Sequence, residues 1–599
     1  MYRAKASSTG DHNAGPSLLY SRRFTGVAIV SVVILFVMRS YNSFYVYNAA
    51  YFPVFKSLFN PGMFAGDIFQ DSVVLKASLF YPLVRLLARL AASIGHENLL
   101  FVLFILTNLA VLLVCYRTGR LFGPKNLALL FVIVLFTQFQ LLAGADVSIV
   151  YAHHFSQTAV SVVPAFLTLY WYLRRKPFLS LLALALTLAV HTKTGFAVGL
   201  VLGMVLLLDL VRPVRIRKTL LWSMALTAPL FLAIAWYFLR LSRAFAGCDE
   251  LVTIMITMQG GEVDLLHPGT LQFPLLNYML LNAAAAVIYL RYAERSEVER
   301  LAFRLLVATN LALVLGAIVS FVHYHVMPVP SLMLQAWPRI GLISTWLSLL
   351  IVSHFLLTYH AVWDEWPRVV QAIVAFLVSA IFLNTYNKKF LMLAALIVAG
   401  TFLAIHLGRF PRRRFLPVMV WGFLGLTVLH KANDLNFVLH QRIEKQWMAT
   451  PYRTPYSYDP VEYNICTWLN RHARPDKMIV YPVLEAGKLQ LREIRRYSER
   501  PWFVTDYLMD YFGSCAAFET WKQRRAVVED WLATGEIAWL AENNVGYIIV
   551  KKQDRARFDL APGASVYQSG ELLVYEVDSD AFSASEGRAL SQTTSTARP

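Results

Sequence analysis

The feature that most constrains this chain is a long series of apolar runs, each about 15 to 20 residues long. Residues 25–38, 99–115, 126–143 and 220–239 are examples, and none of them contains Asp, Glu, Lys or Arg. Hydrophobic residues make up 57% of the 599 residues and charged residues only 15%, so a water-soluble fold would expose too much apolar surface. The sequence therefore predicts a polytopic α-helical membrane protein with about thirteen membrane helices.

The net charge of +18 indicates a membrane topology better than a nucleic-acid partner. The basic residues form short clusters between the apolar runs, as the positive-inside rule requires of cytoplasmic loops. With Arg22 and Arg23 inside, the clusters at 117–125, 174–176, 212–218, 291–304 and 409–414 also lie inside. We expect no nucleic-acid partner.

Whether residues 72–95 span the membrane decides on which side each later loop lies. Lys76, Arg85 and Arg89 would each be costly in the middle of a bilayer, so the run is a poor membrane span. We interpret it as helical segments lying in the outer interface, with one apolar and one basic face.

The domain boundaries follow from this topology. We predict a cytoplasmic N-terminal tail (1–23) and a transmembrane domain (24–434) that includes a first outer loop (39–97). An extracytoplasmic domain (435–580) and a disordered polar tail (581–599) follow. The protein is expected to be a multi-pass protein of the inner (plasma) membrane.

The C-terminal segment changes character. An amphipathic helix is predicted at 460–472 and a second helix at 525–543, with strands at 477–481, 546–550 and 572–577. Alternating strands and helices indicate a small α/β domain.

The four cysteines are too few for a disulfide framework. Cys115 falls in a membrane helix, whereas Cys248, Cys466 and Cys515 fall outside the membrane. A single disulfide, Cys466–Cys515, is compatible with this topology.

The first candidate site lies in the first outer loop. Asp67 and Asp71 follow a Pro-Gly turn four residues apart, and they would share one side of a helix. They could act as a general base or hold a cation. Alternatively, Asp67 simply caps a helix that begins at Ile68.

Three more polar segments map to the same outer face. His153 and His154 point in different directions if helical, which disfavours a shared metal ion but allows hydrogen bonds to a phosphate or a sugar. Alternatively, they are ordinary polar residues of the membrane interface. Lys193 interrupts two apolar runs and needs water or an anion. Arg339 starts a membrane helix and could grip a phosphate or instead reach lipid headgroups. Each signal is weak alone, and the shared face strengthens them.

This pattern resembles the GT-C superfamily of membrane glycosyltransferases, especially bacterial members with a C-terminal extracytoplasmic domain. The resemblance is architectural over most of the chain. It reaches motif level only in the first outer loop (60–71), in His191-Thr192-Lys193 and in the segment from Leu334 to Arg339. The resemblance implies that Asp67 is the catalytic acidic residue, with Asp71 as a second acid.

The implied reaction moves a sugar from a polyprenyl-phosphate-linked donor to a glycan or lipid acceptor at the outer membrane face. Asp67 would supply the general base. The predicted substrate-binding residues, which would stabilise the departing phosphate, are His153, His154, His191, Lys193, Gln335 and Arg339. We predict no definite cofactor and no metal ligands, although a divalent cation could bind the acids.

The sequence departs at two points from the pattern that is commonest in the superfamily, and these points bear on the subfamily. Thr192 stands where proline often follows the histidine, and no Trp-Trp-Asp motif occurs. Transfer of an oligosaccharide to protein is therefore disfavoured.

Two other functions stay open. A ligase or polymerase of surface polysaccharide would place its large soluble part between late membrane helices, whereas here it follows the last one. A transporter or flippase would show pseudo-symmetric halves, and the sequence has no internal repeat.

Overall fold

A computed structural model gives the architecture. It describes residues 21–37, 57, 64–68, 78–90, 96–137, 155–210, 214–243, 247–258, 273–292, 296–329, 332, 337–358, 400, 460–485, 488–491, 498–506, 514–558, 560 and 564–577. The helices before residue 359 are α1 (Arg22–Val37), α2 (Phe80–Leu90), α3 (His96–Phe122), α4 (Lys125–Thr137), α5 (Gln157–Leu173), α6 (Pro177–Val190), α7 (Thr192–Leu210), α8 (Val214–Ser242), α9 (Asp249–Met258), α10 (Phe273–Tyr292), α11 (Glu297–His325) and α12 (Ile340–Thr358). A 3-10 turn, Trp337–Arg339, leads into α12.

The C-terminal elements are α13 (Pro460–His472), β1 (Met478–Val480), β2 (Pro482–Glu485), β3 (Lys488–Leu491), α14 (Cys515–Thr534), α15 (Ala538–Glu542), β4 (Val545–Lys551), β5 (Ser565–Ser569) and β6 (Leu572–Glu576).

Within the described ranges, five helices are long and apolar enough to cross a membrane, and they lie in α3, α7, α8, α11 and α12. The apolar side chains Trp222, Leu226, Leu232 and Trp236 of α8 are between 64% and 69% exposed. An apolar stripe of this kind suits lipid and not water. The chain is thus a polytopic α-helical membrane protein, as predicted. The count of thirteen helices stays a prediction, because residues 359–399 and 401–459 lie outside the described residues.

Helix α12 lies at the centre of the bundle and is almost wholly buried. The Trp346 ring stacks on Phe166 of α5 at a centroid distance of 4.9 Å and meets the edge of Phe131 of α4 at 5.9 Å. Its Nε1–H donates to Cys115 Sγ of α3 at 3.5 Å. Cys115 therefore lies in a membrane helix, as predicted. These contacts fix the start of α12, where Arg339 stands, relative to three other helices.

Charged contacts gather at the opposite end of the bundle. Asp209 at the end of α7 lies 3.5 Å from Arg175 Nη1 and 3.4 Å from Arg304 Nη1. His354 Nε2 near the end of α12 lies 2.9 Å from Glu299 Oε1 at the start of α11. Loops predicted to be cytoplasmic thus share one end of the bundle. Which end faces the cytoplasm stays a prediction from the charge pattern.

Helix α2 occupies the middle of the segment 72–95. It has 11 residues and is about 16 Å long, too short to cross a bilayer. Arg85 and Arg89 are exposed, whereas Phe80 and Val84 are buried against the helix bundle. Residues 72–77 and 91–95 lie outside the described residues, so the absence of a membrane span in the segment 72–95 stays a prediction. Its position in the interface stays a prediction.

The C-terminal domain is built on a four-stranded sheet of order β1-β4-β6-β5, in which β1 and β4 are parallel and the other pairs antiparallel. Alternate residues of β4 face opposite sides of the sheet. Ile548 and Val550 pack into the cluster that includes Trp521 and Trp531 of α14. Ile549 packs with Leu469 of α13 on the other side. The predicted small α/β domain is therefore present, with β4 as its central buried strand.

Most of the elements predicted for this domain are found. The predicted strands correspond to β1, β4 and β6, and the first predicted helix has the bounds of α13. The second is divided into α14 and α15, because Gly535 has a φ of 77° and ends α14. The hairpin β2–β3 and strand β5 carry no clear alternation in the sequence and were not predicted.

The disulfide Cys466–Cys515 that the sequence allows is not formed, and this interpretation is wrong. Cys515 is instead bonded to Cys248, 267 residues earlier, and Cys466 is buried and takes no part in a disulfide. Cys466 lies on α13 and Cys515 on α14, which pack on opposite faces of the sheet. A disulfide needs Cα atoms within about 7 Å, so the sheet separates this pair.

The predicted domain boundary between 434 and 435, and the whole of the tail 581–599, lie outside the described residues. Both stay predictions.

Candidate functional site

The break between α6 and α7 places His191 at the tip of a tight helix pair. His191 has an extended backbone that ends α6, and α7 begins at Thr192. A Cβ on Gly195 would lie 2.6 Å from Leu188 Cα. Because no side chain fits there, only glycine allows the two helices to approach this closely.

Thr194 joins His191 to Arg339. The Thr194 backbone N–H donates to His191 Nδ1 at 3.2 Å, and the Thr194 hydroxyl lies 2.9 Å from the same nitrogen. Arg339 Nη1 donates to Thr194 Oγ1 at 3.4 Å. Because Nδ1 accepts, neutral His191 carries its proton on Nε2, which lies 3.5 Å from Thr158 Oγ1. Two sequence segments predicted to act together are therefore in contact.

Arg339 is held in place by its neighbours in the 3-10 turn before α12. Its residue is only 6% exposed. Trp337, two residues before Arg339, donates its Nε1–H to the Leu332 carbonyl at 2.8 Å. Its ring meets the Phe196 ring of α7 edge-on, with the ring centroids 5.5 Å apart. Snorkelling to lipid headgroups requires an exposed guanidinium, so the burial favours a role inside the protein.

Lys193 belongs to the same cluster. The charges of Lys193 and Arg339 both act on the His191 ring. We call His191, Lys193, Thr194 and Arg339 the basic cluster. Two basic side chains beside hydroxyl and imidazole groups form an environment suited to an anion.

The first outer loop reaches the basic cluster through α2. The backbone N–H of Leu79 donates to the Ala189 carbonyl at 2.8 Å, two residues before His191. The Phe80 ring lies 5.4 Å from the Phe155 ring at the start of α5. Tyr81 packs against a second apolar core, which is formed by Ile68, residues of α9 and residues of the C-terminal domain. Helix α2 is thus in contact with the bundle and with the apolar core to which the C-terminal domain contributes.

Asp67 lies in a turn earlier in the same loop. Its backbone N–H donates to the Phe64 carbonyl at 2.9 Å, and Gly66 has a φ of 85°, a conformation that favours glycine. The residue is 3% exposed. Its Oδ2 accepts a hydrogen bond from the Trp502 backbone N–H at 3.4 Å. The carboxylate is therefore in contact with the C-terminal domain, a partner that the sequence did not predict.

Four predicted site residues, Asp71, His153, His154 and Gln335, lie outside the described residues. Their roles stay predictions. His323, near the predicted Arg339 segment, accepts at Nδ1 from the Val329 backbone N–H at 2.8 Å and closes the turn after α11.

No group of three or more His, Cys, Asp or Glu side chains suited to a metal ion occurs among the residues with described positions. Since Asp71 is not among these residues, a cation between the two acids stays a prediction.

Sequence reasoning missed Thr158, Thr194, Trp502 and Arg524. Hydroxyl residues are common in membrane helices, and Trp502 acts through its backbone, which no residue pattern reveals. Arg524 is one of two adjacent arginines on an ordinary amphipathic helix. None of the four carried a usable signal.

Comparison with solved structures finds similarity over most of the chain. The crystal structure of ArnT from Cupriavidus metallidurans bound to undecaprenyl phosphate is 14% identical, with a TM-score of 0.47, covering 93% of this chain and 98% of that one. The archaeal oligosaccharyltransferase AglB from Archaeoglobus fulgidus, in complex with an inhibitory peptide and a dolichol-phosphate, is 10% identical, with a TM-score of 0.42, covering 89% and 70%. No protein-family model matches the chain, and no curated protein matches it.

Proposed function

We propose that this protein is a GT-C-type glycosyltransferase that moves a hexose or pentose from a polyprenyl-phosphate-linked donor to a glycan or lipid acceptor. The observation that carries the proposal is the basic cluster, in which Arg339 and His191 share Thr194 at one end of the bundle. The motif resemblance in His191-Thr192-Lys193 and around Arg339 gives this cluster its assignment.

The basic cluster would hold the donor phosphate. Arg339 offers a planar set of donors that matches phosphate oxygens, and Lys193 adds a point charge. Arg339 and Lys193 both lie at the ends of apolar helices. A lipid-linked phosphate bound there would keep its polyprenyl chain in the hydrocarbon and its charged phosphate at the membrane surface. His191 and Thr194 orient Arg339 and add hydrogen-bond donors.

Asp67 would act as the general base. The acceptor hydroxyl oxygen attacks the anomeric carbon, and its proton passes to the Asp67 carboxylate. The bond between the anomeric carbon and the phosphate oxygen breaks, and the electron pair leaves with the polyprenyl phosphate. The cations of the basic cluster stabilise the charge that develops on this leaving group. Asp71 would assist or hold a divalent cation.

The reaction would take place on the extracytoplasmic face of the plasma membrane, with the C-terminal domain on the same side. The charge pattern supports this orientation. The bond between Cys248 and Cys515 supports it independently, because disulfides persist in oxidising compartments and are rare in the cytosol.

The test is transfer of a radiolabelled sugar from a synthetic polyprenyl-phosphate sugar to membrane lipid and glycan acceptors, with Asp67→Asn as the variant. Asn keeps an oxygen that accepts from the Trp502 N–H but cannot take a proton. We expect transfer to fall about 10²–10⁴-fold, with expression and donor binding nearly unchanged.

Asp249→Asn is the matched control, since Asp249 is an exposed carboxylate in the first turn of α9. It should keep full activity. Near-normal turnover of Asp67→Asn would show that Asp67 is not the base, and Asp71 would become the candidate. No transfer by the wild-type protein from any such donor would overturn the proposed function itself.

A further inference from the structure

Among the residues that the structure describes, a hydrogen bond, a disulfide and an ion pair join the C-terminal domain to the membrane domain, beside apolar packing. The Trp502 N–H donates to Asp67, and Cys515 at the start of α14 is bonded to Cys248 just before α9. Glu250 Oε2 in the first turn of α9 lies 3.0 Å from Lys522 Nζ, two turns into α14. The domain is therefore fixed at two places, of which one is covalent and the other includes Asp67.

The Trp502 N–H is aimed at Asp67 by the sheet. The Phe503 N–H donates to the Ile479 carbonyl at 3.0 Å, and the Ile479 N–H donates to the Pro501 carbonyl at 3.0 Å. Residues 501–503 thus run beside β1 as an extended segment. Successive N–H groups of such a segment point in opposite directions. With Phe503 turned towards β1, Trp502 points away from it, towards Asp67.

Arg524 of α14 approaches the same carboxylate. Its Nη1 donates to the Phe503 carbonyl at 3.0 Å, and its guanidinium lies 5.2 Å from the centroid of the Phe503 ring. Burial lowers the pKa of Arg524, and the negative charge of Asp67 acts in the opposite direction. Arg524 is thus a half-buried cation that Phe503 orients, and its charge interacts with that of Asp67.

We propose that the C-terminal domain forms one wall of the catalytic site, in which the Trp502 N–H and the Arg524 guanidinium are positioning groups for Asp67. This inference rests on the proposed function, since it needs Asp67 to be the base. The hydrogen bond fixes the orientation of the carboxylate. The positive charge of Arg524 attracts the carboxylate, and this attraction is lost when the charge is removed.

The covalent link makes this wall a permanent part of the site. A domain that only covered Asp67 between turnovers would need to move away, whereas the Cys248–Cys515 bond and the Glu250–Lys522 pair hold α14 beside α9. Asp67 therefore keeps its C-terminal neighbours during the reaction.

The test uses Arg524→Gln in the full-length protein, with Arg525→Gln as the matched control. The glutamine amide can still donate to the Phe503 carbonyl but has no charge. Arg525 is the next residue of α14 and pairs with Asp506 and Glu529. For Arg524→Gln we expect about 10- to 100-fold slower turnover, an unchanged donor KM, and an acidic limb of the pH–rate profile at higher pH. Arg525→Gln should match the wild type in all three.

Arg524→Lys keeps the positive charge and should restore the acidic limb to its wild-type position. In an Asp67→Asn background, Arg524→Gln should cause no further loss, because its effect passes through Asp67. A general packing defect would instead add to the loss in both backgrounds and would leave the pH profile in place.

The inference is overturned if Arg524→Gln has the turnover and pH profile of Arg525→Gln. If Arg524→Gln does not fold, the comparison of Arg524→Lys with the wild type decides, since a displaced acidic limb in a folded variant with the same charge contradicts the proposal. Failure of the proposed function looks different, because then Asp67→Asn itself keeps its turnover.

Discussion

Thr194 has a larger role than its side chain suggests, because its hydroxyl contacts both His191 and Arg339. The three groups form a short chain of hydrogen bonds from the α6–α7 junction to the start of α12. A buried guanidinium is costly unless its donors are satisfied. The position of Arg339 therefore depends on a residue that lies 145 positions earlier in the sequence.

Arg339→Ala and Lys193→Ala should weaken donor binding more than they slow turnover of the bound donor. A hydrogen bond to a charged group contributes about 1.5–3 kcal/mol, which corresponds to roughly 10- to 150-fold in affinity. Donor affinity can be measured by equilibrium binding of a fluorescent polyprenyl-phosphate sugar to the detergent-solubilised protein.

Arg240→Ala is the control for these two variants, since Arg240 is an exposed cation in the last turn of α8 and lies over the Trp236 ring. It should bind the donor normally. If Arg339→Ala and Lys193→Ala bind the donor as tightly as Arg240→Ala does, the basic cluster is not the phosphate site.

At the scale of elements, the sequence indicated which segments are helices and strands more reliably than what they contact. Apolar runs and alternation predicted α3, α7, β4 and β6, because burial in lipid or in a sheet leaves a periodic pattern. The contact between Asp67 and Trp502 leaves none, since it joins a side chain to a backbone N–H across 435 residues.

The orientation of the helices can be tested with an impermeant thiol reagent on intact cells. The native protein has a low background, because Cys115 and Cys466 are buried and the other two cysteines are bonded to each other. We expect Lys125→Cys and Lys176→Cys, both at exposed positions in predicted cytoplasmic loops, to label only after the cells are opened.

Glu536→Cys, at an exposed position between α14 and α15, should label in intact cells and serves as the positive control. Labelling of Lys125→Cys or Lys176→Cys from outside would invert the topology. Residues 72–95 would then have to span the membrane.

At the scale of the molecule, the membrane bundle and the C-terminal domain meet through Asp67, through the disulfide and through the apolar core that α9 shares with the domain. The separate existence of the two parts was predictable from composition, because long apolar runs give way to alternating short elements. Their junction was not predictable, since the cysteine pairing depends on which face of the sheet each helix occupies. Cys466 and Cys515 are near in sequence and separated in space.

Protease added to spheroplasts should cut within residues 433–452 but should not release the C-terminal fragment until a reductant is added. The fragment carries Cys515, which is bonded to Cys248 in the membrane part. Immunoblots of membrane pellets and supernatants, with and without reductant, measure the release.

The Cys515→Ser variant should release the fragment without reductant. Protection of the segment from protease would place the domain in the cytoplasm. Release of the wild-type fragment without reductant would show that the bond between Cys248 and Cys515 is not formed.

The wide spacing of the bonded cysteines also orders the events of biosynthesis. Cys248 leaves the ribosome 267 residues before its partner, so its thiol must wait until almost the whole chain has been made. Cys466 also leaves the ribosome during that interval, but in the folded domain it is buried on α13, on the other face of the sheet from Cys515. A chain that stops before Cys515 cannot form this bond. Formation of this disulfide therefore requires that the C-terminal domain has been synthesised and that α14 lies beside α9.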